Sequence, residues 1–507
     1  MTSSENNKRI AKNTILLYFR MLFTMGVSLY TSRIVLNTLG VNDFGIYNIV
    51  GGVVVLFSFL NSAMSSATQR FLNFEIGKND LIQLRKVFCI SMNVHVSIAV
   101  IVLVLSETIG LWFVNTQLNL PSGRMNAANW VYQFTILTFM ISIIQVPYNA
   151  TIIAHERMTF YAYVSIIEVT LKLTVVFLLQ YLGYDKLKLY AVLISAVSLI
   201  ILIVYKIYCT KKFESSRYSF FLDGTLYKQL LVFSGWSLFG SVANIGKSQV
   251  INILLNIFYG VAVNAAMGIT NQVSAALNGF VSNFQLAFNP QIVKSYAANE
   301  KEYLMKLIFQ TSKYSYYLLL ILSMPILLNT LYILKIWLKT VPQYTVQFCQ
   351  LMIIYLLLES ISGPLWMSIQ ATGKIKSYQI VISSILLLNV PISYVLLKFG
   401  YAPYSVLWVN IGIGILAFII RIYFLVQLIE FPVFKYFKDV ILKIFFVSIF
   451  SFLIPVVIKQ FLIPGLLEFV VISILSCVIV VCVIFSFGMN NNERNMILSK
   501  IKAAINR

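Results

Sequence analysis

Long apolar stretches alternate with short polar connections along the whole chain. A bilayer core about 30 Å thick is crossed by a helix of about 20 predominantly apolar residues, so this pattern predicts a series of membrane spans. The fourteen predicted spans are 13–38, 44–72, 87–114, 128–153, 160–182, 188–209, 230–257, 262–290, 306–338, 346–371, 377–399, 404–428, 438–459 and 464–487. The predicted fold class is therefore an all-α polytopic membrane protein.

Composition supports this interpretation. Of the 507 residues, 59% are hydrophobic and 11% are charged, whereas charged residues make up about 25% of a soluble globular domain. The connections between the spans are too short to fold into a catalytic or nucleotide-binding domain. We therefore expect a membrane protein that is not an enzyme.

The basic residues indicate the topology. Most of the 38 Lys and Arg residues lie in the connections on one side of the spans. Because cytoplasmic loops are enriched in Lys and Arg, that side is predicted to be cytoplasmic, with both termini there. The basic residues expected on the opposite side are Arg124, Lys186, Lys188, Lys335, Lys339, Lys398 and Lys459. Topology thus accounts for the net charge of +21, and we expect no nucleic-acid partner.

The pattern of cysteines and histidines does not indicate redox or metal chemistry. The five cysteines lie mostly in apolar segments without a C-x-x-C motif, and His95 and His155 are far apart in sequence. This distribution is typical of packing residues rather than of disulfides or metal ligands. We expect no cofactor and no metal site.

A weak internal repeat relates the two halves of the chain at an offset of 220 residues, at which GVNDFGIYNIVGGVV (40–54) aligns with GVAVNAAMGITNQVS (260–274). The offset comprises six spans, an even number, so both halves cross the membrane in the same direction. Such repeats are related by a pseudo-two-fold axis along the membrane normal and enclose a site between them. We predict six-helix bundles at 1–212 and 213–435, followed at 436–507 by two additional helices and a cytoplasmic tail.

Polar residues follow one face of the second helix in each half, at steps of four, three and four residues. The aligned sets are Ser58, Ser62, Ser65 and Gln69 in the first half, and Asn278, Ser282, Gln285 and Asn289 in the second half, which extends back to Asn271 and Asn264. Such a stripe either lines a polar cavity or hydrogen-bonds to neighbouring helices. Its recurrence at matched positions favours the lining.

Each half also places one basic residue deep in its first span, Arg20 and Lys247. Two cations facing one cavity are suited to bind an anion. A further arginine, Arg33, is assigned to packing or to snorkelling at the outer end of the span. No Asp or Glu occurs from Asn6 to Asn42 or from Gly224 to Asn299, so these spans lack the carboxylates expected of a site for cationic drugs.

The remaining charges within spans have simpler interpretations. Glu168 and Lys172 are spaced i,i+4, which favours an intrahelical ion pair, although Lys172, like Arg33, could instead line the cavity. Glu359 has no partner on its own helix. It either pairs with Lys247 or Arg20 or is, with Glu168, a candidate for coupling transport to H⁺ or Na⁺. Arg70 and Arg421 are predicted near cytoplasmic helix ends, where lipid head groups explain them.

Two segments resemble the polysaccharide-export flippases of the Wzx O-antigen type. They are TSRIVLNTLGVNDFGIYNIVGGVVVLFSFLNSAMSSATQRFLNFEIGK (31–78) and INILLNIFYGVAVNAAMGITNQVSAALNGFVSNFQLAFNPQIVKSYA (251–297). That family shares a superfamily with the multidrug extrusion (MATE) transporters and the lipid II flippase. The resemblance implies translocation of an undecaprenyl-pyrophosphate-linked oligosaccharide to the outer face of a bacterial inner membrane, for O-antigen, lipopolysaccharide or other surface polysaccharide biosynthesis.

Such flippases look to have a cationic cavity that receives the pyrophosphate, which matches Arg20 and Lys247 in this sequence. The sugar hydroxyls are then expected to bind Ser62, Gln69, Asn264, Asn271, Asn278, Ser282 and Gln285. The lipid tail stays among the membrane lipids, and the transporter works by alternating access as a monomer or within a polysaccharide assembly complex.

Two alternatives remain open from the sequence. The first is a MATE-like exporter of cationic drugs, coupled to H⁺ or Na⁺ through Glu359 or Glu168. The second is a membrane-embedded glycosyltransferase or polymerase, which needs catalytic groups at the outer face. The acidic residues predicted there, Asp43, Asp185 and Glu468, are scattered over short loops, which disfavours an enzyme.

Overall fold

The computed structural model describes residues 3–55, 58–116, 123–181, 185–338, 341–490 and 493–495. Within these ranges the regular structure is helical and contains no β-strand, which confirms the predicted all-α class. The helices are α1 (Ser3–Val55), α2 (Ser58–Lys78), α3 (Leu81–Leu105), α4 (Leu111–Thr116), α5 (Met125–Ala154), α6 (Met158–Tyr181), α7 (Lys186–Lys212), α8 (Gly224–Tyr259), α9 (Val261–Ala297), α10 (Lys301–Leu328), α11 (Thr330–Leu338), α12 (Thr345–Thr372), α13 (Lys376–Leu387), α14 (Asn389–Lys398), α15 (Ser405–Ile429), α16 (Val433–Tyr436), α17 (Leu442–Lys459) and α18 (Leu466–Val483).

Most predicted spans coincide with helices that are apolar enough to cross a bilayer. In the described part of the chain nine helices meet the length and hydropathy requirements, and the pair α10–α11, bent by 76°, makes ten. The other four predicted spans, 13–38, 44–72, 230–257 and 262–290, lie on α1, α2, α8 and α9, which are not among these helices. These four are the first two spans of each predicted half, and they carry the polar stripes and the deep cations.

The backbone keeps the repeat that the sequence indicated. Gly40 (φ 78°, ψ 167°) interrupts α1, and Gly260 (φ 76°) separates α8 from α9. The second helix of each half is followed by an asparagine with positive φ, Asn79 (59°) and Asn299 (58°). Positive φ is uncommon outside glycine. The two glycines are 220 residues apart, and so are the two asparagines. The bundle boundaries proposed from the sequence, at 212/213 and 435/436, stay predictions.

The chain divides into two compact units, each continued by a second segment. Unit one comprises Met1–Val242 and Leu286–Glu300, and unit two comprises Ala243–Gln285 and Lys301–Arg507. In unit one, α5 packs against α7 and α1 packs against α6. In unit two, α12 packs against α10 and α15, and α18 lies along α10.

Arg124 ties three elements of unit one together at the predicted outer face. Its guanidinium donates from Nε to Asp43 Oδ1 at 2.9 Å and from Nη1 to Asp185 Oδ2 at 2.9 Å. Hydrogen bonding to Asp43 raises the pKa of Arg124, despite some burial, and the bond to Asp185 adds to this effect. Asp43 and Asp185, which were predicted on separate loops, therefore lie close together. Both are paired with Arg124, which neutralises their charge.

The C-terminal helices of unit two stabilise the bend between α10 and α11. At this bend the ammonium of Lys459, at the end of α17, donates to the Leu328 carbonyl at 2.6 Å and to Asn329 Oδ1 at 3.1 Å. A carbonyl released from the helical ladder needs another donor in a membrane, and Lys459 supplies it. Lys459 also lies 3.5 Å from the Glu468 carboxylate.

Candidate functional site

The polar stripe of α9 forms a face that unit two leaves uncovered. Asn271, Asn278 and Ser282 are exposed, and Asn264 at the same angular position is half-buried. These side chains recur at steps of seven and four residues and so share one face of the helix. A face of amides and hydroxyls within a predicted span is poorly suited to contact hydrocarbon. This face can offer hydrogen bonds to a polar ligand.

Gln285, further along the same stripe, lies against α12. Its Nε2 donates to the Ser360 carbonyl at 3.5 Å. A Cβ at Gly363 would lie 2.2 Å from that Nε2, so the glycine makes room for the amide. This contact corresponds to the second role considered for the polar stripe, hydrogen bonding to a neighbouring helix. The role of Gln285 in substrate binding stays a prediction.

In unit one the matching stripe is only partly described. The side chain of Ser62 lies outside the described residues. Gln69 on α2 is half-buried, and its Nε2 makes no hydrogen bond in the described part of the chain. In unit two, the Oδ1 atom of Asn264 is likewise buried and accepts no hydrogen bond from the described residues. Buried amide groups of this kind are rare in helix packing and are available to a polar ligand.

Arg20 is on α1, and its side chain packs against α6 in unit one. Its guanidinium carbon is 4.6 Å from the centroid of the Tyr161 ring. The Nε and Nη1 atoms are buried and make no hydrogen bond to the residues that the structure describes. The ring stabilises the cation from one side, and the N–H groups remain available to an acceptor. The side chain of the second arginine of this span, Arg33, lies outside the described residues.

Lys247 is buried in unit two, with a relative exposure of 6%. Its ammonium donates to Asn410 Oδ1 at 3.1 Å and lies 5.6 Å from the centroid of the Tyr355 ring. Asn389 Nδ2 donates to the same Oδ1 atom at 2.9 Å, which fixes the orientation of the Asn410 amide. The sequence did not single out Asn389, Asn410 or Tyr355, because they lie on helices that sequence spacing does not relate to α8.

Glu359 is paired with a cation from another helix. Arg421 Nη2 lies 3.0 Å from Glu359 Oε1, and Arg421 Nε donates to the Tyr378 hydroxyl at 3.1 Å. The assignment of Arg421 to lipid head groups is wrong, since its relative exposure is 6% and its charge is used inside unit two. The sequence indicated Lys247 or Arg20 as the partner of this carboxylate, whereas the structure pairs it with Arg421.

Glu168 and Lys172 form the intrahelical pair that their spacing favoured, with Nζ 2.6 Å from Oε1. One further carboxylate within a predicted span, Glu107, was missed. It lies in the π-helical turn Ser106–Gly110 and accepts from Gln133 Nε2 at 3.1 Å. Among the described residues, no group of three or more His, Cys, Asp or Glu side chains could hold a metal ion.

Sequence comparison is uninformative for this chain: no protein-family model matches it, and no curated protein matches it either. Comparison of folds gives a clear result. An outward-facing multidrug resistance MATE transporter of the MOP superfamily matches with a TM-score of 0.72, covering 84% of this chain and 96% of that chain at 12% identity. The fold is that of the MATE transporters. At this level of identity, the likeness shows the fold alone.

Two further solved structures share this fold. A MATE transporter in complex with MaD3S matches with a TM-score of 0.70 at 14% identity, covering 84% of this chain and 97% of that one. A MOP superfamily transporter from Pyrococcus furiosus matches with a TM-score of 0.69 at 12% identity, over 84% and 96% of the two chains. That transporter is described as having a binding pocket of reverse polarity, which suggests a different function.

Proposed function

We propose that this protein is a secondary transporter that flips an anionic, undecaprenyl-pyrophosphate-linked oligosaccharide across the bacterial inner membrane by alternating access. The uncovered polar face of α9, formed by Asn271, Asn278 and Ser282, carries the proposal. A long glycan presents many hydroxyl groups, and a row of amides and hydroxyls can bind them without requiring a single pose.

The charges support an anionic substrate. Arg20 presents two guanidinium nitrogens, Nε and Nη1, without hydrogen-bond partners in the described chain, and α8 and α9 contain no carboxylate. Guanidinium groups bind phosphate through paired hydrogen bonds. A positively charged site repels cationic drugs. The binding pocket of reverse polarity described for the Pyrococcus furiosus transporter is a precedent for binding sites of different polarity within one fold.

The alternative, a cation-coupled multidrug exporter, receives less support. Its two candidate coupling residues, Glu168 and Glu359, are each engaged by a cation, Lys172 and Arg421 respectively. A carboxylate held in an ion pair is less available to bind a drug or a coupling ion. We therefore expect Glu359→Gln to leave drug susceptibility of an expressing strain unchanged.

The test replaces the proposed contacts and measures surface polysaccharide in a strain that depends on this protein. Asn278→Leu makes the uncovered face apolar, and Arg20→Gln removes the guanidinium. Both are expected to reduce export at least tenfold, equivalent to about 1.4 kcal/mol of lost substrate stabilisation. Protein levels in the membrane are compared in parallel, so that loss of folding is recognised.

A matched control on the same helix is Ala276→Leu. Ala276 is also exposed, but it lies well away from the stripe around the helix. The control is expected to export normally. Normal surface polysaccharide in both Asn278→Leu and Arg20→Gln would contradict the proposed function.

A further inference from the structure

The C-terminal end of α9 is held in unit one by a buried carboxylate. Unit one includes Leu286–Glu300 and therefore the last turns of this helix. Glu156 accepts from Gln291 Nε2 with both carboxylate oxygens at 2.7 Å, and its Oε1 atom lies 2.5 Å from Lys294 Nζ. The Glu156 side chain is 1% exposed, and charge-assisted hydrogen bonds are roughly twice as strong as neutral ones. We call Glu156, Gln291 and Lys294 the latch.

The backbone turn after α5 directs Glu156 towards α9. In this turn the Glu156 N–H donates to the Ile153 carbonyl at 2.9 Å. The next N–H, of Arg157, donates to the Ile152 carbonyl at 3.0 Å. Glu156 has a φ of 57°, a conformation that glycine or asparagine usually adopts at the end of a helix. A glutamate is retained in this strained conformation where other contacts compensate for it, and the bonds to α9 do so here.

A second contact lies beside the latch, between the ends of α2 and α9. A Cβ at Gly77 would lie 2.7 Å from the Lys294 carbonyl oxygen and 2.8 Å from the Ala297 Cβ, so a larger residue would push the two helices apart. Gly77 and Ala297 are 220 residues apart and therefore occupy equivalent positions in the repeat. Under the predicted pseudo-two-fold symmetry, equivalent positions that touch each other lie next to the axis.

This contact bears on the path that a substrate would follow. The helices α2 and α9 carry the two polar stripes, and both end on the side predicted to be cytoplasmic. Where these helices touch, no glycan passes between them. A weak point lies just before the contact: Pro290 has no N–H, so the Leu286 carbonyl four residues earlier loses its helical partner. The helix can bend there, between its polar face and its latched end.

We infer that the latch is the cytoplasmic gate of the transporter. When intact, it holds the ends of α2 and α9 together and closes the polar face of α9 to the cytoplasm. When it is released, the end of α9 swings away at Pro290 and the face opens to the substrate. This inference rests on the alternating access of the proposed function and adds to it the contact that controls access from one side.

The experiment measures from which side of the membrane the polar face of α9 is reached. The reporter is Ala275→Cys, at an exposed position on that face, in the otherwise unchanged full-length chain. A membrane-impermeant maleimide is applied to inside-out and right-side-out vesicles of expressing cells. Labelling of the chain without the reporter is subtracted, because that chain contains five cysteines. With the latch intact, we expect labelling from the outer side and little from the cytoplasmic side.

Glu156→Gln removes the charge of the latch and keeps its size. This variant is expected to increase the rate of labelling from the cytoplasmic side at least about tenfold, equivalent to about 1.4 kcal/mol of lost stabilisation of the closed gate. Lys294→Glu places two carboxylates in contact and should have the same effect. Adding Glu156→Lys to Lys294→Glu restores opposite charges, and the Gln291 amide can turn to accept from the new ammonium. Labelling in this double variant is expected to return to the level of the reporter chain.

Gly77→Ala tests the helix contact without any change of charge and is also expected to increase cytoplasmic labelling. Its control is Gly235→Ala on α8 in unit one, where an added Cβ meets no atom within 4 Å and labelling should not change. Unchanged cytoplasmic labelling in Glu156→Gln or in Gly77→Ala overturns the gate, and so does an increase in Lys294→Glu that the second charge does not reverse. None of these results depends on substrate, so they leave the proposed function standing. Failure of that function appears instead as normal surface polysaccharide in Asn278→Leu and Arg20→Gln.

Discussion

A buried ion pair connects the residues after α18 to α10, and its removal is expected to have a large effect. Lys313 Nζ lies 2.8 Å from Glu493 Oε2, with the two side chains 3% and 10% exposed. Gln310 Nε2 and the Asn490 backbone N–H also donate to the carboxylate, at 3.4 and 2.8 Å. Burial acts to raise the pKa of Glu493, but hydrogen bonding and the charge of Lys313 outweigh it and lower that pKa.

The magnitude depends on which partner is removed. Glu493→Gln leaves the Lys313 ammonium buried without a carboxylate, and breaking such a pair costs about 3–5 kcal/mol. Lys313→Met leaves a carboxylate that retains two other donors, so the expected loss is smaller, about 1–3 kcal/mol. The double variant is expected to recover most of the loss, because exchanging a buried pair for neutral groups is often close to neutral.

The assay is the free energy of unfolding of the full-length protein in detergent, followed by tryptophan fluorescence during denaturant titration. The control is Lys301→Met, which breaks the pair of Lys301 with Glu430 at 3.1 Å, where the side chains are 71% and 84% exposed. An exposed pair contributes about 0.2–1 kcal/mol. The reasoning is refuted if Glu493→Gln costs no more than this control, or if the two single losses simply add in the double variant.

Two further predictions concern the backbone and the pH dependence. Gly40→Ala is expected to destabilise the protein by about 1–3 kcal/mol, because the φ and ψ of Gly40 are accessible almost only to glycine. The control is Gly51→Ala, inside the helix, where an added Cβ meets open space. This variant should be neutral or stabilising in the same denaturant titration. Burial, with the charges of Lys294 and Arg157, lowers the pKa of His155 to about 4. Since the unfolded value is about 6.5, the unfolded state binds more protons between these values, and stability should fall by roughly 2–3 kcal/mol as the pH drops through that window. A His155→Phe variant should lose this pH dependence, and an unchanged pH profile would contradict the assignment.

The helices could be predicted from the sequence because the bilayer imposes a long apolar run on each span. The repeat was also detectable in the sequence, since Gly40 and Gly260 stand at matched positions and both have a positive φ in the structure. The ion pair Glu168–Lys172 was predictable for a local reason: residues four apart on a helix face each other.

Partners on distant helices could not be predicted. Arg421 is 62 residues beyond Glu359, and no periodicity within either helix relates them. The same holds for Lys247 and Asn410, which are 163 residues apart. Gln285 illustrates a different difficulty, because a polar stripe has the same spacing whether it faces a cavity or a glycine of the neighbouring helix. The sequence therefore predicts which side chains are available within the membrane better than it predicts what they contact.

The polar face of α9 has a consequence for biogenesis. A helix leaves the translocon for lipid according to its own apolar character, and the polar side chains of Asn264, Asn271, Asn278 and Ser282 reduce that character in α9. During synthesis α9 is followed directly by the pair α10–α11, which together meets the length and hydropathy requirements. The nascent chain can therefore integrate α9 by delivering it together with these successors.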